Sequence, residues 1–146
     1  MKKHSETPAL EILVEVDRPA IVEFESELGH VKMIPFKGTV DCPLFKGIIE
    51  PCGVDTQVTN ANEVRHMSAR YMLTGKDADG VDCHIYVENN AWFTNGEQPK
   101  PFHTVPTFIT DSKRLAPYLH RNQFVGEGLR DERGLWIRFY EIIDRA

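Results

Sequence analysis

Short apolar stretches with a period of two recur along the whole chain, and hardly a window supports the 3.6-residue period of a helix. Residues 11–17 place Ile12, Val14 and Val16 on one face, and near the end Leu135, Ile137, Phe139 and Ile143 alternate in the same way. Between them lie further runs over residues 21–28, 31–41, 45–50, 65–74, 81–89, 102–110 and 118–129. Clusters of turn-forming residues separate most of these: Asp41-Cys42-Pro43, Pro51-Cys52-Gly53, the stretch 75–80 and the stretch 130–134. Eight or nine strands at this spacing form an antiparallel sandwich or a closed barrel. A barrel of about eight strands has room inside for side chains or for one small ligand. The expected fold from spacing is therefore all-β and antiparallel, a sandwich or a single barrel of about eight to nine strands.

No repeat or linker divides the 146 residues, so one domain spans 1–146, with 1–10 and 144–146 expected to be flexible. With 41% hydrophobic and 27% charged residues, the chain is too apolar to be intrinsically disordered. A net charge of −5 leaves no broad positive field, which argues against nucleic-acid binding. No stretch nears the roughly 18 consecutive apolar residues of a membrane helix, and the polar start Met1-Lys2-Lys3-His4-Ser5-Glu6 lacks a signal-like apolar region. A cytoplasmic location without membrane contact is the expectation, and a homo-oligomer is compatible with it. Cys42, Cys52 and Cys83 are odd in number and lack C-x-x-C spacing, which suits buried free thiols. There is no H-x-H, H-E-x-x-H or Asp-rich loop to signal a metal, and no G-x-S-x-G, P-loop or G-x-G-x-x-G. Neither a metal nor another cofactor is expected.

Residues 65–90 carry the densest polar chemistry. Two strands joined by a Gly-bounded loop must pair antiparallel, and matching the apolar residues sets Met72 opposite His84. One face then carries His66, Ser68, Arg70, Met72, His84, Tyr86 and Glu88. The other carries Met67, Ala69, Tyr71, Leu73, Cys83, Ile85 and Val87, a core face. On the polar face Arg70 stands opposite Tyr86, with His84 and Glu88 on the diagonals. Arginine can hold an anion, tyrosine can donate, and histidine or glutamate can accept a proton near neutral pH. The same residues also suit a solvated outer face with cross-strand ion pairs, so the pattern leaves both open.

A short helix is expected within residues 111–119, limited by Pro117. Residues 90–101 form the longest irregular stretch, with Trp92 and Phe93 placed to cover or to plug a barrel end. His103 and His120 fall on expected strands, where structural and ligand-contacting roles are both open. Asn89, Trp92, His103, His120 and Phe124 complete the set of candidate ligand contacts.

Taken together, the runs resemble the family called domain of unknown function 3237, whose members look like calycin-type barrels. The resemblance covers residues 11–142. It is carried by Phe45-Lys46-Gly47 with Pro51-Cys52-Gly53-Val54-Asp55, by Ala69-Arg70-Tyr71-Met72-Leu73, and by Asp79-Gly80 with Ile85-Tyr86-Val87-Glu88-Asn89. Thr104-Val105-Pro106-Thr107-Phe108 and Phe124-Val125-Gly126-Glu127-Gly128 complete it. Cys52, Thr56 and His120 depart from the residues common in that family. The resemblance implies a lipocalin-like barrel without a settled activity, and it adds Asp55, the aspartate after the glycine turn, to the candidate bases.

The function expected from all of this is a barrel that binds a small organic molecule and moves a proton on an enolisable or aromatic substrate, as an isomerase, cyclase or lyase would. Arg70, Tyr86, Asp55, His84 and Glu88 are its candidate catalytic residues. A non-catalytic carrier barrel is the alternative.

Overall fold

In the computed structural model, which describes residues 4–143, the alternating runs become ten strands. They are β1 (Leu10–Val16), β2 (Val22–Ser26), β3 (Gly29–Cys42), β4 (Phe45–Ile49), β5 (Val54–Thr59), β6 (Arg65–Asp77), β7 (Asp82–Phe93), β8 (Phe102–Thr110), β9 (Phe124–Asp131) and β10 (Gly134–Glu141). One four-residue helix, α1 (Ala116–Leu119), lies between β8 and β9. No helix among the described residues is long and apolar enough to cross a membrane.

The sheet is antiparallel and runs β1-β10-β9-β8-β7-β6-β4-β3, and β3 then pairs back to β1. This closes an eight-stranded barrel. β4 and β5 share one place in the ring, because β4 bonds the second half of β3 and β5 bonds its first half. The break between them is local chemistry. Pro51 has no N–H to give a ladder, and the Gly53 amide turns back to the Glu50 carbonyl at 3.2 Å. A Cβ at Gly53 would come within 3.3 Å of both Phe36 and Ile49, so a side chain there would crowd the wall that the turn lies against. β2 extends beyond the ring, bonded to β3 alone.

Odd-numbered residues of β6, β7 and β10 point inward and even-numbered ones outward, as the pleat requires. One end of the barrel is filled. Phe45, Phe108, Phe139, Leu10, Leu73 and Ile85 are fully buried there, and it is sealed by Leu119 of α1 and by Leu115 just before it. Phe108 meets Phe124 and Phe139 edge to face at 5.4 and 5.2 Å. Asp77 anchors the seal: its carboxylate accepts from the Ser112 hydroxyl at 2.9 Å and from the Asp79 and Val81 amides at 2.9 and 3.1 Å. Burial pushes the Asp77 carboxyl up, but these hydrogen bonds outweigh it and hold the pKa below the usual aspartate value.

Several expectations change against this structure. β5 was not among the expected strands. Residues 118–123 are not strand, because Pro117 suits the first turn of α1 and β9 begins only at Phe124. The helix covers four residues rather than 111–119. The hairpin is β6–β7 as expected, and its two faces hold, but Met72 pairs with Tyr86 and not with His84. The two-residue slip preserves the faces because the side-chain period is two. Cys42 and Cys83 are buried free thiols, whereas Cys52 is exposed on the β4–β5 turn. β7 runs on through Phe93, so the irregular stretch is shorter than residues 90–101. Residues 5 and 9 are bonded to β10 through Ser5 N to Glu141 O at 2.9 Å and Ala9 N to Phe139 O at 2.8 Å. Residues 1–3 and 144–146 lie outside the described residues.

Candidate functional site

The opposite end of the barrel is not filled. A cavity of about 290 Å³ opens there, between the end of β1, the first halves of β3 and β6, β5, the end of β7 and the start of β10. Its wall is built in layers, each two residues, or about 7 Å, deeper than the last. Arg65 and Phe93 face each other at the rim. The next layer runs Lys32, Gln57, Met67 and Ala91 in register across β3, β5, β6 and β7. Below it lie Ile34, Asp55, Ala69 and Asn89, and Tyr71 with Phe36 forms the floor.

The layers differ in chemistry. At the rim the Arg65 guanidinium lies 4.9 Å from the centre of the Phe93 ring and donates through Nη2 to Gln98 Oε1 at 2.5 Å. Gln98 belongs to the β7–β8 loop, so this loop does reach over the cavity, although Trp92 does not. Asp55 is held on one side: Gln57 Nε2 donates to its Oδ2 at 2.8 Å, while Oδ1 is buried with no protein partner. Burial pushes the Asp55 carboxyl above its usual range, against the lowering effect of Gln57, Arg65, His66 and Lys32. Tyr71, 4% exposed, packs edge-on to Phe36 at 5.2 Å and its hydroxyl has no partner. Burial alone drives its pKa far above 10, so the phenol stays neutral and can donate.

Unpartnered polar groups concentrate here. Six buried side-chain atoms lack a protein hydrogen-bond partner among the described residues, and four of them belong to residues of this cavity: Asp55 Oδ1, Arg65 Nε, Tyr71 OH and Asn89 Oδ1. Each such group costs about 1–3 kcal/mol, and native folds keep few. Apolar side chains complete the wall, among them Val14, Ile34, Phe36, Met67 and Ile137. A concave, largely apolar site with a few convergent polar groups is the usual form of a small-molecule site.

Of the residues singled out from sequence, Asp55 and Asn89 lie in this cavity. The others do not join them. Arg70 stands opposite Glu88 on the outer wall, its Nε 3.2 Å from Glu88 Oε1 and its side chain 62% exposed. His84 pairs with Asp111 at 2.8 Å, also exposed, and Tyr86 lies between Met72 and Ile109 on the outer wall. Trp92 stacks on His66 outside the barrel, and His103 is exposed on β8. His120 caps a backbone amide, accepting from Thr110 N at 2.9 Å, and Phe124 is packed in the filled end. Among the described residues no three His, Cys, Asp or Glu side chains gather as a metal-binding group. Arg65, Tyr71, Gln57 and Lys32 were not anticipated as site residues. Once β5 is recognised, the parity that puts Asp55 inward also puts Gln57 inward, and Lys32 and Arg65 follow from the register.

Residues 5–142 match the family described as protein of unknown function (DUF3237). The chain is 29% identical, over 90% of its own length and 89% of the relative's, to a UPF0311 protein of Clostridium acetobutylicum. Among solved structures, a protein with unknown function from the same organism is 26% identical with a TM-score of 0.75, covering 98% of this chain and 99% of that one. A β-barrel-like protein from Acinetobacter baumannii is 21% identical with a TM-score of 0.70, each chain covered to 97%. An enzyme from Penicillium herquei shares the fold at 15% identity and a TM-score of 0.59, over 98% of this chain and all of that one.

Proposed function

The chain belongs to the DUF3237 family of proteins of unknown function and shares its barrel fold with the solved structures it resembles, and we propose that its open end binds a small, partly apolar organic molecule and transfers a proton on it. The observation that carries this reading is the convergence of four unpartnered buried polar atoms on one cavity. Such groups lower stability in the free protein, and a bound molecule that pairs them recovers that loss only in the complex.

Within the cavity the roles follow from the chemistry of each group. Asp55 Oδ1 is the base, since Oδ2 is tethered to Gln57 and a raised pKa brings the carboxyl nearer to a working base at neutral pH. Tyr71 donates from the floor to the substrate oxygen that gains charge as the proton leaves. Asp55 then returns the proton to the γ-carbon of the conjugated dienolate, so that a β,γ double bond moves into conjugation with the carbonyl and the charge leaves the oxygen, which completes an isomerisation. Side chains alone supply this chemistry. The outer cluster of Arg70, Tyr86, His84 and Glu88 has no part in it, because it faces away from the cavity.

The test uses 2-tetralone, an enolisable ketone fused to an aromatic ring. In D2O the chain is expected to accelerate deuterium uptake at its α-carbons, read by proton NMR, and Asp55→Asn to lower that acceleration by about 100-fold or more. Binding of the ketone without any acceleration would select the carrier alternative, in which the same cavity holds a ligand unchanged.

A further inference from the structure

The charges in the cavity wall oppose those of the rest of the protein. Overall the chain carries 17 Lys and Arg against 22 Asp and Glu. The cavity is lined by three cations, Lys32, Arg65 and Arg130, against one carboxylate, Asp55. Their pairing is also different. Of the described cations outside the cavity, Lys37, Lys46, Arg70, Lys76, Arg114, Arg121 and Arg138 each have a carboxylate oxygen within 4.0 Å, and only Arg18, Lys100, Lys113 and Arg133 do not. Among the described residues no carboxylate lies that close to Lys32, Arg65 or Arg130.

Three unpaired cations around one mouth repel one another, and a chain with surplus carboxylates has the means to neutralise them. An anion at the mouth removes the repulsion and gains charge-assisted hydrogen bonds. Depth limits what else that anion is. Met67 shares the layer of Lys32, and beneath the cations the wall carries Ile34 and Phe36 with Asp55 and Asn89, ending at the Tyr71 hydroxyl. Asp55 in the middle layer makes a second negative charge on the ligand unfavourable.

From this we infer that the cavity selects an amphipathic organic monoanion. Its carboxylate, or the ionised oxygen of an acidic phenol or enol, sits at the mouth among Lys32, Arg65 and Arg130. Its apolar ring fills the layers below. The inference rests on the cavity reading above and adds the charge class of the ligand to it.

The experiment compares 2-naphthoate with 2-naphthamide, which has the same ring and nearly the same shape without the charge. Affinities are measured by isothermal titration, with NMR shifts of the cavity-lining amides locating the site. Naphthoate is expected to bind at least tenfold more tightly than the amide. The preference is expected to fall below threefold in a Lys32→Gln/Arg130→Gln variant and to persist in Arg70→Gln, which alters only the outer wall. Equal affinities for acid and amide, with cavity shifts for both, would overturn the monoanion inference and leave the cavity reading standing. A preference kept in the double variant would overturn it as well. Absence of cavity shifts with either compound would bring down the cavity reading and this inference together.

Discussion

Replacing Tyr71 by phenylalanine separates the cost of the cavity from its use. The ring contact with Phe36 at 5.2 Å survives the change, and only a hydroxyl that is buried without a protein partner is lost. Removing an unsatisfied buried group relieves about 1–3 kcal/mol. For a chain of this length each kcal/mol moves the melting temperature by about 2–4 °C, so Tyr71→Phe should melt roughly 2–12 °C higher than the parent. Binding should change in the opposite direction. A ligand that reaches the floor with a polar atom, such as 6-hydroxy-2-naphthoate, should lose about 0.5–1.5 kcal/mol, or roughly two- to tenfold in affinity, while 2-naphthoate is unaffected. Calorimetric melting and titration of the two proteins supply both readings. A variant that melts lower than the parent would mean that the hydroxyl stabilises the free protein, contrary to this expectation.

Asp55→Asn tests the same trade through pH. Burial raises the folded-state pKa of Asp55 above 3.8, so its contribution to stability is complete below that value and is lost as pH rises through the raised one. The melting temperature of the parent should therefore fall relative to Asp55→Asn as pH increases above about 4, and parallel melting curves would contradict it. At Gly128 an added Cβ would run into the Phe102 ring, which lines the cavity; Gly128→Ala should cost about 1–3 kcal/mol in a melt and weaken naphthoate binding, and an unchanged melt would show that the ring has room to move. Cys52 alone of the three thiols is exposed, so a thiol reagent should label one equivalent rapidly in the folded chain and all three only on unfolding.

The barrel was legible because strand period and turn residues agree along most of the chain. The faces of β6 and β7 could be read from Met67, Tyr71, Leu73, Ile85 and Val87, since parity survives a register slip of two. The register itself was not, because apolar residues match equally well in pairings two residues apart, and backbone hydrogen bonds rather than side-chain types decide between them. β5 escaped notice because Val54-Asp55-Thr56-Gln57-Val58-Thr59 points polar residues at the cavity, so the alternation that marks a half-buried strand is reversed in its middle. That reversal concealed Gln57 and, through the register, Lys32. Arg70, Tyr86, His84 and Glu88 looked like a site because a solvated sheet face and an active site use the same residue types. Only burial distinguishes them: Asp55 and Tyr71 lie behind the wall, whereas Arg70 and Glu88 form an ion pair on its surface.

A crystal of the chain soaked with 2-naphthoate shows which face of the barrel holds an anion. The carboxylate is expected between Lys32, Arg65 and Arg130 and the rings over Ile34, Met67 and Phe36, with Asp55 and Asn89 beside them. Naphthoate bound instead on the outer wall at Arg70, with the open end of the barrel unchanged, would contradict that placement.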